Sequence, residues 1–151
     1  RHGLTGHLEN AIDAEAESGL RPGVLFLEVD GFSQLSERYG EETGDRVLEM
    51  VANTLQHNVR STDHVARWEG AGFVLLLEDM DEGRLDLMAD KMRMLVSSSY
   101  LELPDAPLQV TVSLGATLTR PNDTVESLIS RACSLLDLSK HSACDCSAVP
   151  A

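Results

Sequence analysis

Two groups of residues in this sequence carry side chains suited to binding ions or nucleotides. Glu28 and Asp30 are carboxylates at the end of an apolar run, and carboxylates supply the oxygen ligands that a hard cation such as Mg²⁺ requires. Arg60 and Asp63 form an R-x-x-D motif. A guanidinium group can hold a phosphate or the N7 and O6 edge of guanine with two hydrogen bonds, and a carboxylate can accept from guanine N–H groups. What these groups do depends on where the fold places them.

Arg60 and Asp63 also have a purely structural explanation. An arginine near the end of a helix interacts favourably with the helix dipole, and an aspartate suits the turn that follows. Short motifs of common residues also arise by chance. The residues alone do not decide between a ligand site and a structural role for Arg60 and Asp63. A further group, His141 with Cys144 and Cys146, lacks the spacing of a closed zinc site and predicts an unstructured tail instead.

The hydrophobic pattern predicts the elements that position these residues. The run V-L-F-L-E-V at 24–29 is typical of a central strand buried on both faces. Segments 64–68 and 73–77 predict two strands, and the two glycines of the connection between them favour a tight hairpin. A further strand is predicted at 110–117, and helical spacing of apolar residues predicts helices around 8–12, 48–59, 85–96 and 125–136. This order predicts an α+β fold with a central, mostly antiparallel sheet and helices on its faces.

Length and composition predict one soluble domain. The 151 residues are 42% hydrophobic, which suits a single core. Lys and Arg total 12 against 25 Asp and Glu, a formal net charge of −13, so no nucleic-acid partner is expected. No apolar run is long enough to span a bilayer, and three cysteines crowded near the C-terminus are unlike a secreted disulfide framework. A cytoplasmic location is therefore expected.

The ends of the chain predict its organisation. Because the sequence begins with Arg rather than Met, we expect a piece of a longer protein, and a membrane tether in the full-length protein stays open. The helical pattern stops at Ser139, so we expect one domain at 1–140 and a tail or the start of a linker at 141–151. The acidic run at 37–45 predicts a solvated helix face and loop.

Several segments resemble the GGDEF family, in the family's own order and from residue 4 to about residue 140. L-T-G at 4–6 resembles its opening motif, E-V-D-G-F at 28–32 resembles its D-x-D-x-F, and Y-G with G-D at 39–45 resembles its Y-G-H-x-x-G-D. V-A-R-W-E-G-A-G-F at 65–73 lies over V-A-R-x-G-G-D-E-F, and V-T-V-S-L-G at 110–115 lies over V-T-V-S-I-G. Single matches are weak. Together, at family spacing, they imply a ferredoxin-like fold of the nucleotidyl-cyclase or palm type.

The resemblance implies an enzyme that joins two GTP molecules into cyclic di-GMP across a dimer of domains, with Mg²⁺ neutralising charge on the phosphate. It places the first metal ligand on Glu28, with the backbone carbonyl of Val29. The third and fourth letters of the signature, acidic in active members, are Ala71 and Gly72 here, although Gly70 is kept. The resemblance therefore predicts a degenerate active site, no enzyme activity beyond weak residual turnover, and no metal, with Mg²⁺ only beside a nucleotide held through Glu28.

The same resemblance assigns further binding positions. The asparagine that reads guanine falls on Ser36, its aspartate partner is kept as Asp45, and a phosphate-binding lysine is kept as Lys140. Many active members also have an inhibitory R-x-x-D site nine residues before the signature, and Arg60 and Asp63 stand at that spacing.

Lys91 falls where the family often supplies a second basic group to that inhibitory site. The leading hypothesis is a catalytically inactive signalling domain that binds cyclic di-GMP through Arg60, Asp63 and Lys91 and regulates attached domains. One alternative is a ligand-free interaction or dimerisation domain, or a GTP-binding regulatory domain, of a protein with an EAL phosphodiesterase domain. Another is a residual diguanylate cyclase. Expected partners are cyclic di-GMP or GTP, attached EAL, PAS or receiver domains, and a second copy of the chain.

Overall fold

The computed structural model describes residues 21–68, 70–120, 122–142 and 147–148, with the backbone alone at 139–142 and 147–148. The predicted helix around 8–12, the L-T-G motif at 4–6, Glu69, Cys144 and Cys146 lie outside the described residues. The elements follow in the order β1 (Arg21–Val29), α1 (Phe32–Tyr39), α2 (Glu41–Gln56), β2 (His64–Arg67), β3 (Gly72–Met80), α3 (Glu82–Ser98), β4 (Tyr100–Leu101), β5 (Leu108–Gln109), β6 (Val112–Leu118), α4 (Val125–Ser142) and β7 (Ser147–Ala148).

Five of the described strands form one sheet in the order β2-β3-β1-β6-β7. The central strand β1 pairs antiparallel with β3 and β6, and β2 pairs antiparallel with β3. β7 runs parallel to β6, while β4 and β5 form a separate two-stranded ladder. This arrangement confirms the predicted α+β fold with a central, mostly antiparallel sheet. Within the described part of the chain, no helix has the length and apolar character needed to cross a membrane.

Alternate residues of β1 pack on opposite faces of the sheet, as the two-residue period of a strand requires. Leu25 and Leu27 join the core cluster that includes residues of α2 and α3, whereas Val24 and Phe26 pack with residues of α4. All four are buried, which confirms the predicted central strand. The same period places Glu28 on the α4 face, next in the row after Val24 and Phe26.

Close packing of α4 on β6 explains the glycine at residue 115. A Cβ atom added to Gly115 would lie 2.3 Å from the carbonyl oxygen of Ala132 and 2.4 Å from the backbone nitrogen of Leu136. Both distances are far shorter than van der Waals contact between heavy atoms. The backbone of α4 therefore lies directly on the backbone of β6, without an intervening side chain.

Two segments differ from the sequence predictions. The acidic run at 37–45 is divided between two helices that break at Gly40, whose φ is 94°. The helix α1 has eight residues and none of them is fully buried, although Phe32 and Leu35 pack against the core, so its apolar stripe is too short to stand out in the sequence. At the other end, α4 continues to Ser142 and β7 pairs with β6, where the sequence predicts a tail at 141–151. A strand of two residues is too short to produce a pattern, and the domain boundary at residue 140 stays a prediction.

Candidate functional site

A cleft of about 560 Å³ opens where β1 ends beside the β2–β3 hairpin. Its walls come from the end of β1, the start of α1 and the hairpin turn. The lining residues are Glu28, Val29, Gly31, Phe32, Ser33, Gln34, Gly70 and Ala71. The cleft therefore brings the acid at the end of the first strand next to the signature turn, about forty residues later in the chain.

Backbone pairing fixes the position of Glu28 relative to the signature turn. Glu28 stands opposite Gly72 in β3 and opposite Ser113 in β6. The N–H of Val29 donates to the carbonyl oxygen of Ala71 at 3.2 Å. Since these contacts belong to the sheet, the spacing between Glu28 and positions 71 and 72 is set by the fold rather than by a mobile loop.

The signature turn is a closed hairpin, as the two glycines predict. The N–H of Trp68 donates to the carbonyl oxygen of Gly72 at 2.9 Å, and the guanidinium of Arg67 donates to the carbonyl oxygen of Gly70 at 3.1 Å. Gly70 has a φ of 61°, in the left-handed region that glycine adopts without strain. Trp68 packs edge-on against Phe26 with ring centroids 6.1 Å apart, which anchors the hairpin to the sheet.

Asp30 has a structural role that the sequence did not reveal. Its carboxylate accepts hydrogen bonds from the Thr111 hydroxyl at 2.7 Å and the Ser113 hydroxyl at 2.6 Å, and its N–H donates to the carbonyl oxygen of Thr111 at 2.9 Å. These bonds tie the end of β1 to β6 beside the cleft. The signal was present as two hydroxyl residues in V-T-V-S, but only the pairing of β1 with β6 brings them to Asp30.

The donor set of the cleft does not fit the pair of Mg²⁺ ions that the family resemblance implies. Ala71 and Gly72 offer no carboxylate, so Glu28 is the one acid among the residues described as lining the cleft. Across the described residues there is no cluster of three or more His, Cys, Asp or Glu that could hold a metal ion. Mg²⁺ requires several oxygen ligands in near-octahedral geometry, so we assign no metal to these residues.

Cys133, on α4, lies on the same side of the sheet as Glu28. It is half-buried against the second core cluster. Burial raises the pKa of its thiol, and the negative charges of Asp137 and Glu28 act in the same direction. The thiol therefore stays protonated at neutral pH and is a poor nucleophile.

The structure places the remaining active-site positions on three helices. Ser36 is on α1 and half-buried, and its hydroxyl oxygen lies 2.6 Å from where a Cβ of Gly44 would be. Asp45 follows Gly44 in α2 and is exposed, so the α1–α2 elbow brings Ser36 next to the turn of α2 that carries Asp45. Lys140 belongs to α4, but its side chain lies outside the described part. The roles of these residues stay predictions.

The R-x-x-D motif forms a compact cluster in the turn between α2 and β2. The side chain of Asp63 is fully buried, whereas that of Arg60 is 49% exposed. One carboxylate oxygen of Asp63 accepts from the backbone N–H and the Nε of Arg60, at 3.0 and 3.4 Å. The other accepts from Nη2 of Arg60 at 3.4 Å and from the N–H of Glu78 at 3.0 Å. Asp63 therefore has both oxygens engaged within the domain.

Arg60 and Asp63 together take the place of a missing residue of β2. The ladder between β2 and β3 begins at the pair His64 and Leu76, which leaves the backbone of Glu78 without a strand partner on that side. Asp63 accepts from the N–H of Glu78, and Nη2 of Arg60 donates to its carbonyl oxygen. The structural explanation of the motif is thus present, in a form that the sequence did not suggest.

The hydrogen bonds that hold the turn leave one guanidinium nitrogen of Arg60, Nη1, able to bind a ligand. Within the described part of the chain, no hydrogen bond involves Nη1 of Arg60, which has two N–H groups. Lys91 is exposed on α3, and it has no ion-pair partner among the residues that the structure describes. Lys91 lies nine residues after the start of α3, and no hydrogen bond or ion pair joins it to Arg60 in the described part of the chain.

A second cleft of about 560 Å³ lies between α2 and the end of α3. Most of its polar groups bond to carbonyls of their own helix: the Thr54 hydroxyl to Met50, His57 Nδ1 to Asn53, and the Asn58 amide to Thr54. These bonds are local helix contacts rather than an arrangement of convergent groups. Arg46 also lines this cleft.

Comparison with known proteins gives consistent matches over most of the chain. The family model described as "Diguanylate cyclase, GGDEF domain" matches residues 1–145. MucR of Pseudomonas aeruginosa, a bifunctional diguanylate cyclase and cyclic di-GMP phosphodiesterase, is 33% identical over 115 residues, which are 76% of this chain and 17% of MucR. The response regulator PleD of Caulobacter vibrioides is 31% identical over 135 residues, 87% of this chain and 30% of PleD. The chain thus spans less than a third of the length of these relatives.

Solved structures agree on the fold. Diguanylate cyclase SiaD of Pseudomonas aeruginosa, solved in complex with its activator SiaC, superposes with a TM-score of 0.93 at 27% identity, covering 99% of this chain and 58% of SiaD. The GGDEF domain of DgcB from Caulobacter crescentus, solved in complex with cyclic di-GMP, superposes with a TM-score of 0.90 at 24% identity, covering 99% of this chain and 86% of that domain. These likenesses confirm the predicted nucleotidyl-cyclase type of sheet.

The prediction that the chain is not an enzyme is contradicted by these matches. The matching family model is that of a diguanylate cyclase domain, and relatives such as DosC of Escherichia coli, 29% identical over 125 residues, are diguanylate cyclases. The prediction rests on Ala71 and Gly72 and on further replaced positions such as Ser36, whereas the matches extend over most of the chain.

Proposed function

This chain belongs to the GGDEF family of diguanylate cyclase domains, and we propose that it acts in cyclic di-GMP signalling by binding cyclic di-GMP at Arg60. The observation that carries this proposal is the state of the Arg60 side chain. It is 49% exposed, held from one side by Asp63 and the carbonyl of Glu78, and keeps two N–H groups without a partner in the described part of the chain. A guanidinium fixed in this way can bind a phosphate or guanine at a small cost in side-chain entropy.

Asp63 has a different role in this proposal from the one that the sequence predicts. A carboxylate that accepts from guanine N–H groups must face the ligand, whereas the side chain of Asp63 is fully buried and engaged at both oxygens. We therefore assign Asp63 as a positioning residue that fixes the orientation of the Arg60 guanidinium. Lys91 remains a candidate for contact with a distant part of the ligand.

The relatives suggest what such binding regulates. MucR combines diguanylate cyclase and phosphodiesterase activities in one chain, and SiaD was solved with an activator protein. We propose by analogy that this domain transmits its occupancy to attached domains of the EAL, PAS or receiver type, or to a second copy of itself. The chain spans only a small part of MucR and PleD. We therefore propose attached domains as its first partners.

Calorimetric titration with cyclic di-GMP tests the binding proposal. Wild-type protein is expected to bind, and Arg60→Ala is expected to weaken the affinity by at least about tenfold, because hydrogen bonds to charged groups are worth roughly 1.5–3 kcal/mol each. Arg46→Ala is the matched control, since Arg46 lines the second cleft. Absence of heat from the wild-type protein at high ligand concentration contradicts the proposal. Loss of binding in Arg46→Ala instead of Arg60→Ala places the ligand in the second cleft.

The cleft at Glu28 supports a second candidate function, the binding of GTP. Its volume of about 560 Å³ lies in the range of nucleotide-sized pockets, and the α1–α2 elbow with Ser36 and Asp45 lies beside it. Titration with GTP and ATP, with and without Mg²⁺, belongs to the same panel. If GTP binds in this cleft, Arg60→Ala leaves the affinity for GTP unchanged. If Arg60→Ala weakens GTP binding, GTP and cyclic di-GMP both bind at Arg60.

A further inference from the structure

Arg84 approaches the same turn of the chain as Arg60. Nη2 of Arg60 donates to the carbonyl oxygen of Glu78, and Nη1 of Arg84 donates to the carbonyl oxygen of Asp79 at 3.3 Å. The two guanidinium groups thus bind the carbonyls of consecutive residues, whose Cα atoms are only about 3.8 Å apart in any chain. Two arginines therefore reach the junction between β3 and α3.

One local preference is broken at this junction. It is not the φ of 55° at Asp79, because aspartate adopts the left-handed region more readily than most residues other than glycine. Arg84 is the third residue of α3, in the first helical turn, where the partial positive charge of the helix end disfavours a cation. Sequences tend to break such local preferences at functional positions.

The contacts of Arg84 leave it able to meet a ligand. Its side chain is 57% exposed, and its ion pair with Asp81 has an N–O distance of 3.8 Å with the aspartate 50% exposed. An ion pair this open to solvent contributes little to stability. The Asp81 carboxylate also caps α3 by accepting from the N–H of Arg84 at 2.8 Å, so this carboxylate keeps a structural role if the guanidinium turns to a phosphate.

The face of α3 that carries Arg84 also carries Leu87 and Lys91. Residues three, four and seven apart lie on one side of a helix, and seven residues span about 10 Å along the axis. Leu87 is 71% exposed and stands between the two cations, so it offers an apolar surface to a base. Leu85, Ala89 and Met92 form the opposite, buried face.

We propose that Arg84 is a second ligand-binding arginine of the cyclic di-GMP site. This inference rests on the proposed function. Arg60 and Arg84 bind one phosphate of the cyclic dinucleotide from two sides, a base lies over Leu87, and Lys91 stands towards the second phosphate. The nearby carboxylates of Asp79, Asp81 and Glu82 repel phosphates at long range, so this site depends on direct contacts with the two guanidinium groups rather than on attraction by net charge.

Affinity measurements on Arg84 variants test this inference. Arg84→Ala is expected to weaken cyclic di-GMP binding by about tenfold, and Arg84→Lys by less, because lysine keeps the charge but loses the planar fork. Arg38→Ala is the matched control, since it removes an arginine from the exposed helix α1. Circular dichroism melting checks the fold, and Arg84→Gln replaces Arg84→Ala if that variant unfolds.

The outcomes separate this inference from the proposed function. If Arg60→Ala loses binding while Arg84→Ala and Arg84→Gln bind as tightly as the wild type, Arg84 is not a ligand residue and the binding site at Arg60 stands. If the wild-type protein shows no binding, both proposals fail together. If Arg38→Ala weakens binding as much as Arg84→Ala does, the effect is one of net charge, and the inference is wrong.

Discussion

Asp63 is enclosed by the turn that it stabilises, and this changes how the R-x-x-D motif works in this domain. The carboxylate bonds to Arg60 and to the N–H of Glu78, so the motif completes the edge of β3 and orients a guanidinium at the same time. From the sequence, the structural and ligand-binding explanations compete. In the structure they are compatible, because the N–H groups of Arg60 that hold the turn are not the two that remain without a partner in the described part of the chain.

At the same scale, Ala71 and Gly72 define a prediction for the cleft. Both positions lie beside Glu28 across the pairing of β1 and β3, so carboxylates placed there add oxygen ligands for Mg²⁺ next to the existing one. The double substitution Ala71→Asp with Gly72→Glu is expected to raise cyclic di-GMP formation from GTP by at least about tenfold over the unchanged domain. Product is measured by chromatography.

The control for this prediction adds an acid away from the cleft. Asn53→Asp introduces one carboxylate on α2, in the second cleft, and is expected to leave product formation unchanged. Equal rates for the double variant and the unchanged domain, with both folded by their melting temperatures, contradict the account of the cleft.

At the scale of elements, α4 is held to the sheet by one ionic network as well as by packing. Arg131 donates to the Asp123 carboxylate at 2.7 and 3.0 Å, to the Thr117 hydroxyl at 2.8 Å and to the carbonyl oxygen of Leu118 at 3.0 Å. The network joins the start of α4 to β6. Because β6 also pairs with β1, α4 is positioned relative to the strand that ends at Glu28.

The network makes stability depend on pH through Asp123. Burial alone would raise the pKa of this carboxyl group, but hydrogen bonds from Arg131, the backbone N–H of Arg120 and the Ser127 hydroxyl outweigh burial and lower the pKa below its ordinary value of 3.8. A lowered pKa in the folded state means that the stabilisation is full above the pKa of the unfolded chain and is lost as pH falls through the folded pKa.

Melting temperatures of the wild type and Asp123→Asn check this dependence. The wild type is expected to melt at a higher temperature near neutral pH, and its advantage is expected to shrink once the pH falls below about 3.8. A difference that stays constant from pH 6 to the lowest pH at which both proteins fold means that Asp123 is not the titrating group.

The contact between α4 and β6 gives a prediction about packing. Gly115→Ala is expected to destabilise the domain by about 2–3 kcal/mol, because the added methyl meets backbone atoms that cannot move without shifting the helix. Gly83→Ala is the matched control: its added Cβ would lie no closer than 3.5 Å to Asp81. Gly83 is the second residue of α3, so this variant is expected to change the free energy of unfolding by less than about 0.5 kcal/mol. Urea denaturation measures both, and equal stabilities contradict the packing described for α4.

At the scale of the whole molecule, the fold could be predicted because its signals are strong. The strand at 24–29, the hairpin and the long helices have dense apolar patterns, and the motifs occur at family spacing. The helix α1 is not among the predicted helices because its eight residues carry only a short apolar stripe, of which Phe32 and Leu35 pack against the core. The burial of Asp63 and the hydrogen bonds of Arg60 and Arg84 to the consecutive carbonyls of Glu78 and Asp79 also depend on the path of β3, which no local pattern encodes. Pairing across the sheet therefore decides the details of the site.

The account as a whole depends on the Arg60 guanidinium meeting cyclic di-GMP, and nitrogen-15 NMR of the arginine side chains tests that contact most directly. The Nε–H signal that is missing in Arg60→Ala identifies Arg60 in the wild-type spectrum. Addition of cyclic di-GMP is expected to shift this signal in a saturable manner while the signal of Arg46 stays in place. An Arg60 signal that does not move at ligand concentrations that saturate any heat of binding contradicts the account.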